Sequence, residues 1–375
     1  MQYGQPFLGC LPTFPPVTKV TGMDTLLPVA SGGAAGPLTA DELRELYSLM
    51  VAVRHLDTSA IAWQRQGIIP GYAPELGQEA AQVGSGYAVD TTRDFVFPTY
   101  REMGVARTMG VDMVAYMSTH KATWHGGLYN PLESRLAPIQ AVVAGSVLHA
   151  VGWAHGQTLA AGSDATTDGG LGVALTYFGD GASSQGDVHE AMNFAAVMKA
   201  PVVFFVQNNG WAISVPTERQ VAGGSVAARA AGYGMPALQI DGDDVVAVVE
   251  ATRRAFAHAR AGNGPVLIEA MTYRRGPHST ADDPGRYRSL DEERDGAGAD
   301  PLERLRQRLL ADGIADEAFF AEALAAAKAE EEQIRTGIQA LGSRPGTEMF
   351  DLVFQETTPA LQAQAANWRE ESEHV

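Results

Sequence analysis

Two periods of apolar residues alternate along this chain, and their alternation predicts the architecture. From Thr39 the period is helical. Leu43, Leu46, Tyr47 and Met50 fall on one face, and Thr39 with Glu42 three residues later makes a capping-box pattern at the start. A second helix is predicted over about residues 75–87. Residues 173–178 (VALTYF), 202–206 (VVFFV) and 266–271 (VLIEAM) are short, continuous apolar runs, suited to strands buried on both faces. Helical stretches over 187–199 and 243–260 separate them. Strands alternating with helices predict an α/β fold, a mainly parallel sheet with helices on both faces.

Outside that region the pattern changes. Residues 1–38 are rich in Pro, Gly and Thr without a period and read as an extended N-terminal arm. Residues 162–170 (GSDATTDGG) read as an exposed insertion. Residues 276–299 are polar and contain Pro277, Pro284 and four glycines. They predict a long structureless loop, which in a compact enzyme is functional or disordered. Helices are expected to resume where Asp300 can cap and Pro301 suits the first turn, and again over 316–341. The organisation expected is an arm (1–38), one domain (39–356) including the loop 276–299, and a C-terminal tail (357–375).

Composition narrows the function. Of 375 residues 45% are apolar and 19% charged, enough for a substantial core. Lys plus Arg number 27 against 44 Asp plus Glu, a net charge of −17, which disfavours non-specific nucleic-acid binding. A single cysteine, Cys10, excludes an intrachain disulfide framework and a Cys-rich zinc site. The first 43 residues hold one Lys and no Arg, so neither a transit peptide nor a secretory signal is predicted, and a cytoplasmic protein is expected. Residues 136–163 carry no formal charge and are long enough to span a bilayer. Pro138, Gln140, His149, His155 and Gln157 would be costly there, so a buried, tightly packed helix is expected, with no membrane partner.

Candidate chemistry lies at two predicted strand ends. VALTYF runs into Gly179-Asp180-Gly181, and VVFFV runs through Gln207 into Asn208-Asn209, with 26 residues between Gly181 and that pair. In α/β folds ligands bind beyond the carboxyl ends of the strands. Glycines there let backbone N–H groups approach phosphate, and a following helix presents its positive end. Asp180 and Asn209 could offer oxygens to Mg²⁺, which takes a few protein oxygens and shares the rest with phosphate and water. A lone GDG is a common tight turn; the pairing with NN at this spacing makes the site reading specific.

The segments GDGASSQGDVHEAMNFA and QNNGWAIS resemble the thiamine diphosphate motif of the alpha subunits of 2-oxo acid dehydrogenase E1 components. QGIIPGYAPELGQEAA (66–81), Pro98-Thr99-Tyr100-Arg101-Glu102 and YRRGPHSTADDPGRYR (273–288) match the same family in order, over roughly residues 39–356. The resemblance implies a thiamine-diphosphate-binding fold and, position by position, a site. Asp180 and Asn209 would be side-chain ligands of Mg²⁺, and Trp211 would give its backbone carbonyl. Tyr100 and Arg101 would contact the diphosphate, and Gly179, Gly181 and Ala182 would do so through backbone. Ala141 and Val143 would lie against the aminopyrimidine, by a looser match. Gln207 stands where some branched-chain members carry a diphosphate-binding Arg. His278 matches the active-site histidine, cofactor-binding and catalytic, which stabilises the intermediate and assists acyl transfer to lipoyl.

The activity implied is oxidative decarboxylation of a 2-oxo acid, with the acyl group passed to a lipoylated E2 acyltransferase. HSTADD is closer to branched-chain members, whereas GYAPELGQEA and RRGPH resemble bacterial pyruvate members. A branched-chain acid (3-methyl-2-oxobutanoate) is favoured narrowly over pyruvate, with acetoin-type enzymes third. The carboxylate that activates the cofactor comes, in this family, from the E1 beta subunit, so an α₂β₂ heterotetramer is expected. A transketolase-like enzyme is one rival, and a non-catalytic scaffold or regulatory subunit is another. His125, His149, His155 and His189 lack ligand spacing. Trp63 and Met103, Met109, Met113 and Met117 are expected in the core, and Glu330–Glu332 on a solvated helix face.

Overall fold

A computed structural model describes residues 36–122, 127–162, 170–296, 298, 300–351 and 353–372. Nearly all of the N-terminal arm, Cys10, His125 and most of the 162–170 insertion lie outside the described residues.

Seven strands occur in chain order: β1 (Phe95–Phe97), β2 (Ala174–Gly179), β3 (Val202–Asn208), β4 (Trp211–Ala212), β5 (Val215–Pro216), β6 (Ala237–Asp241) and β7 (Val266–Met271). Five form one sheet in the order β1-β2-β3-β7-β6, every neighbouring pair parallel, and β4 with β5 makes a small antiparallel hairpin. Phe97 lies opposite Thr176, Gly179 opposite Gln207 and Asn208 opposite Met271. The chain therefore leaves β1, β2, β3 and β7 at one edge of the sheet.

The continuous apolar runs follow from burial on both faces. Along β3, Val203 and Phe205 join one core while Val202, Phe204 and Val206 join the other. Helix Val245–His258 lies on the first face, and helices Ala40–Arg65, Glu79–Tyr87 and Glu317–Ala340 extend the same core. The second is covered by Val147–Ala161 and Gly186–Met198. Helix starts follow their cap signals. Thr39 and Glu42 form the reciprocal capping box, and Asp300 accepts from the backbone of Leu302 and Glu303 with Pro301 in the first turn.

Several expectations change. The second helix begins at Glu79, not at 75, because Gln78 N–H closes a turn on the Glu75 carbonyl and Gly77 adopts φ 93°. A Cβ on Gly77 would stand 2.3 Å from the Tyr273 carbonyl oxygen. Strands β1 and β6 carried no readable signal: β1 has three residues, and β6 at the sheet edge mixes buried with exposed positions. Within 136–163 the α-helix covers Val147–Ala161; residues 137–146 instead run to the ligand edge of the sheet, and one helix face is exposed, Leu159 included.

The loop 276–299 is not structureless. It contains a short turn of helix at Pro284–Arg286 and a helix at Leu290–Gly296. Arg288 donates to the Arg274 and Gly276 carbonyls, and Thr280 exchanges hydrogen bonds with the Tyr72 backbone. The expected tail folds as a helix, Pro359–Ser372, burying Leu361 and Ala365. Trp63 is buried as expected, but its indole N–H donates to Glu331 and Arg107 pairs with Glu330, so two of the three acidic residues are structural partners. Met103, Met113 and Met117 are buried. No helix among the described residues is long and apolar enough to cross a membrane.

Candidate functional site

Four strand ends meet at a cavity of about 440 Å³, within the usual range for small-molecule sites. The loop after β1 supplies Thr99, Tyr100, Arg101 and Glu102. The turn after β2 supplies Gly179, Asp180, Gly181 and Ala182. The end of β3 and the hairpin supply Gln207, Asn209, Trp211 and Ile213, and the segment after β7 supplies His278. Ala141 and Val143 complete one wall. Every site residue expected from sequence lines this cavity.

Asp180 is 1% exposed. Thr217 Oγ1 (2.5 Å) and Gln220 Nε2 (2.7 Å) both donate to its Oδ2, and the Asn209 backbone N–H also acts on the carboxylate. Burial pushes its pKa up, with hydrogen bonding from Thr217 opposing. A buried carboxylate held by neutral donors is a charge awaiting a cation. Asn209 is fixed from both sides: its Nδ2 donates to Gln78 Oε1 (3.2 Å), and its Oδ1 accepts from Trp211 N–H (3.3 Å). The Trp211 carbonyl accepts a long bond from Arg274 (3.5 Å). One carboxylate, one carboxamide and one backbone carbonyl make an all-oxygen set of the kind that suits a hard cation such as Mg²⁺. Among the described residues there is no cluster of three or more His, Cys, Asp or Glu able to hold a metal by itself. A cation held here would complete its shell with oxygens of a ligand or of water.

The turn after β2 is tightly packed. A Cβ on Gly181 would stand 2.5 Å from the Ala212 Cβ, so only glycine lets the hairpin close over this turn. Two cavity residues without that freedom adopt left-handed backbone, Ala144 (φ 62°) and Ile213 (φ 54°). For β-branched Ile213 this is a strained conformation of the kind that collects at binding sites.

The cationic side of the cavity is Arg101. Its guanidinium donates to the Pro74 carbonyl, to His278 Nδ1 (3.1 Å) and to the His278 carbonyl (2.8 Å), and it lies over the Tyr100 ring. The His278 pKa is lowered to about 4, first by burial and then by the Arg101 and Arg274 charges. Behind Arg101, Glu102 accepts from Thr99 and from Gln207 Nε2 (2.7 Å), while Gln207 Oε1 is buried without a partner. Sequence reading missed Thr217, Gln220, Gln78 and Arg274. Each acts through contacts to residues distant in sequence, which local sequence does not show.

A sequence model described as Dehydrogenase E1 component matches residues 47–339. The chain belongs to the dehydrogenase E1 component family. It is 44% identical over 335 residues to the 3-methyl-2-oxobutanoate dehydrogenase subunit alpha of Mycobacterium tuberculosis, covering 89% of this chain and 88% of that protein. The pyruvate dehydrogenase E1 component subunit alpha of Staphylococcus epidermidis is 36% identical over 334 residues, with 89% and 88% coverage. That of Staphylococcus aureus is 36% identical over the same length. Membership of the E1 family implies thiamine diphosphate as cofactor, and the cavity suits it: a carboxylate-carboxamide-carbonyl set beside a guanidinium is chemistry for a diphosphate and its cation.

Proposed function

We propose that this chain is the alpha subunit of a 2-oxo acid dehydrogenase E1 component, binding thiamine diphosphate with Mg²⁺ and decarboxylating a 2-oxo acid. The observation that carries the reading is the convergence of Asp180, Asn209, the Trp211 carbonyl, Arg101 and His278 on one cavity at four strand ends. When bound, the cofactor supplies the carbanion chemistry of decarboxylation and acyl transfer. Asp180, Asn209 and the Trp211 carbonyl would hold the cation. Tyr100, Arg101 and the backbone of Gly179, Gly181 and Ala182 would seat the diphosphate, and Ala141 and Val143 would bracket the ring. His278 offers an N–H to an oxygen of the reacting group. We assign these roles to one domain, residues 39–356.

The partners proposed are an E1 beta subunit, in an α₂β₂ assembly, and a lipoylated E2 acyltransferase. Two features favour a second subunit. Among the described residues the carboxylates lining the cavity are Glu102 and Asp180, both engaged by donors within this chain, which favours a second subunit as the source of the activating carboxylate. The cavity rim is also apolar and open: Val142 is 69% exposed, Val143 50% and Ile213 54%. A rim of that kind marks an interaction surface. A branched-chain acid, 3-methyl-2-oxobutanoate, is the favoured substrate, because the 44% relative is named for it while the pyruvate-named relatives stand at 36%. Pyruvate is the second reading.

The test is coexpression with a beta-subunit candidate and a panel of 2-oxo acids with an artificial electron acceptor. The expected result is activity that needs both chains, Mg²⁺ and thiamine diphosphate, with the highest kcat/KM on 3-methyl-2-oxobutanoate. Robust decarboxylation by the isolated chain would refute the two-subunit reading, and a preference for pyruvate would reverse the substrate assignment.

A further inference from the structure

We infer that Arg101 is a positioning residue for His278, fixing the imidazole as the neutral Nε2–H tautomer so that it serves as a hydrogen-bond donor and not as a proton shuttle. The argument begins with what a guanidinium can do: it only donates. One Arg101 nitrogen, Nη2, lies 3.1 Å from His278 Nδ1 and 2.8 Å from the carbonyl oxygen of the same residue. Nδ1 is therefore the acceptor, and the ring proton sits on Nε2. Because the two acceptors belong to one residue, the pair of bonds fixes the ring's orientation as well as its tautomer. The other terminal nitrogen of Arg101 is tied to the Pro74 carbonyl, so the guanidinium is itself held in place.

The surrounding charges act in the same direction. The groups facing the imidazole are Arg101, the Arg274 guanidinium, the Asp282 carboxylate and the edge of Tyr100. Asp282 would favour a charged imidazole, but its Oδ2 is taken up by the His278 backbone N–H (2.7 Å) and by the Tyr287 hydroxyl (2.5 Å). Tyr287 also accepts from Arg274 (2.8 Å). Protonating Nδ1 would place an N–H against the Arg101 donor and a second positive charge beside two arginines. A shuttle has to pass through that imidazolium; a donor does not. Arg101 also lines the cavity, so one side chain serves the proposed anion site and the tautomer of the histidine beside it.

What His278 donates to rests on the E1 reading; its tautomer does not. The experiment therefore uses the full-length chain without cofactor, ¹⁵N-labelled at the imidazoles, with H278Q to identify the signal among nine histidines. The expected wild-type result is an unprotonated Nδ1, a protonated Nε2 and no titration between pH 8 and pH 5. In R101M, which can neither donate nor carry charge, the fixed tautomer should be lost and the pKa should rise from about 4 toward the ordinary value of about 6.5. R101K, which keeps a charge and a donor, should shift it less. A wild-type His278 that titrates near ~6.5 or carries its proton on Nδ1 would overturn the inference, and that measurement needs no variant of Arg101. An R101M protein with an unchanged tautomer and pKa would overturn it equally. If thiamine diphosphate fails to bind the assembled protein while the tautomer is as expected, the functional proposal falls and this one stands.

Discussion

Replacing Asp180 by Asn isolates the charge of the proposed metal ligand while leaving its packing. The side chain is 1% exposed, and both side-chain donors to it, Thr217 and Gln220, engage Oδ2. An asparagine can turn its carbonyl oxygen to those donors and leave its N–H₂ toward the cavity, and the desolvation cost that this adds is smaller than that of the buried charge it removes. The unfolding midpoint of the cofactor-free protein should therefore not fall. Toward a cation the effect is opposite. Loss of one partner of a buried charge pair costs roughly 3–5 kcal/mol, which at about 1.4 kcal/mol per tenfold is roughly 100- to 4,000-fold in affinity. The amide N–H₂ would also point where Oδ1 had been, adding repulsion. The assay is titration of Mg²⁺ at fixed thiamine diphosphate into the assembled protein, followed by calorimetry, with thermal unfolding of the same samples as the control. A variant with wild-type Mg²⁺ dependence would show that Asp180 is no ligand. A variant that loses cofactor binding only because it has unfolded would show instead that the carboxylate is structural.

Other substitutions test neighbouring links. Gly181→Ala should leave the chain folded but force the hairpin away from the turn, since the new Cβ would meet Ala212 at 2.5 Å; overpacking of roughly 1–3 kcal/mol predicts cofactor affinity roughly 5- to 140-fold weaker, and unchanged affinity would contradict the packing argument. Ile213→Gly should raise stability in urea by roughly 0.5–1 kcal/mol, as relief of left-handed strain outweighs the added chain entropy, and a loss of stability would mean φ 54° is not strained. Asp57→Asn should stabilise the protein above about pH 6. The folded pKa of fully buried Asp57 is raised to about 6 by desolvation, so its contribution is present below the unfolded value and lost as pH rises through the folded one. Both hydrogen bonds to Asp57, from the Tyr72 hydroxyl and Glu75 N–H, go to Oδ1 and survive in Asn. Thermal midpoints of variant and wild type should converge below about pH 4, and a variant less stable at pH 7 would refute the sign.

The parts of the fold that were legible in sequence are those with a local cause. β2, β3 and β7 announce themselves because burial on both faces demands unbroken apolar runs, and the Thr39 and Asp300 caps because a helix start has a fixed chemical need. β1 was invisible because three residues cannot display a period, and its placement depends on pairing with β2 far along the chain. The loop 276–299 reads as structureless by composition. Its order comes from Arg274 and Arg288, whose guanidinium groups bond carbonyls and the Tyr287 hydroxyl across the loop.

The site divides in the same way, and the division explains what a motif can and cannot reveal. Gly181 and Asp180 sit in a turn whose geometry admits few residues, so the sequence around them is constrained and recognisable. Arg101 and His278 are joined across 177 positions, and no property of either segment alone places them in contact. Their function was suggested by resemblance to a family, but the direction of the hydrogen bond between them, and with it the protonation of the imidazole, exists only once β1 and β7 deliver their following loops to the same edge of the sheet. The same holds for Thr217 and Gln220, which matter because the β4–β5 hairpin folds back over the turn after β2 and brings two neutral donors onto one oxygen of Asp180. A candidate ligand set can thus be proposed from strand-end residues, whereas the electrostatic state of each candidate is decided by residues that sequence has no means of pairing with it.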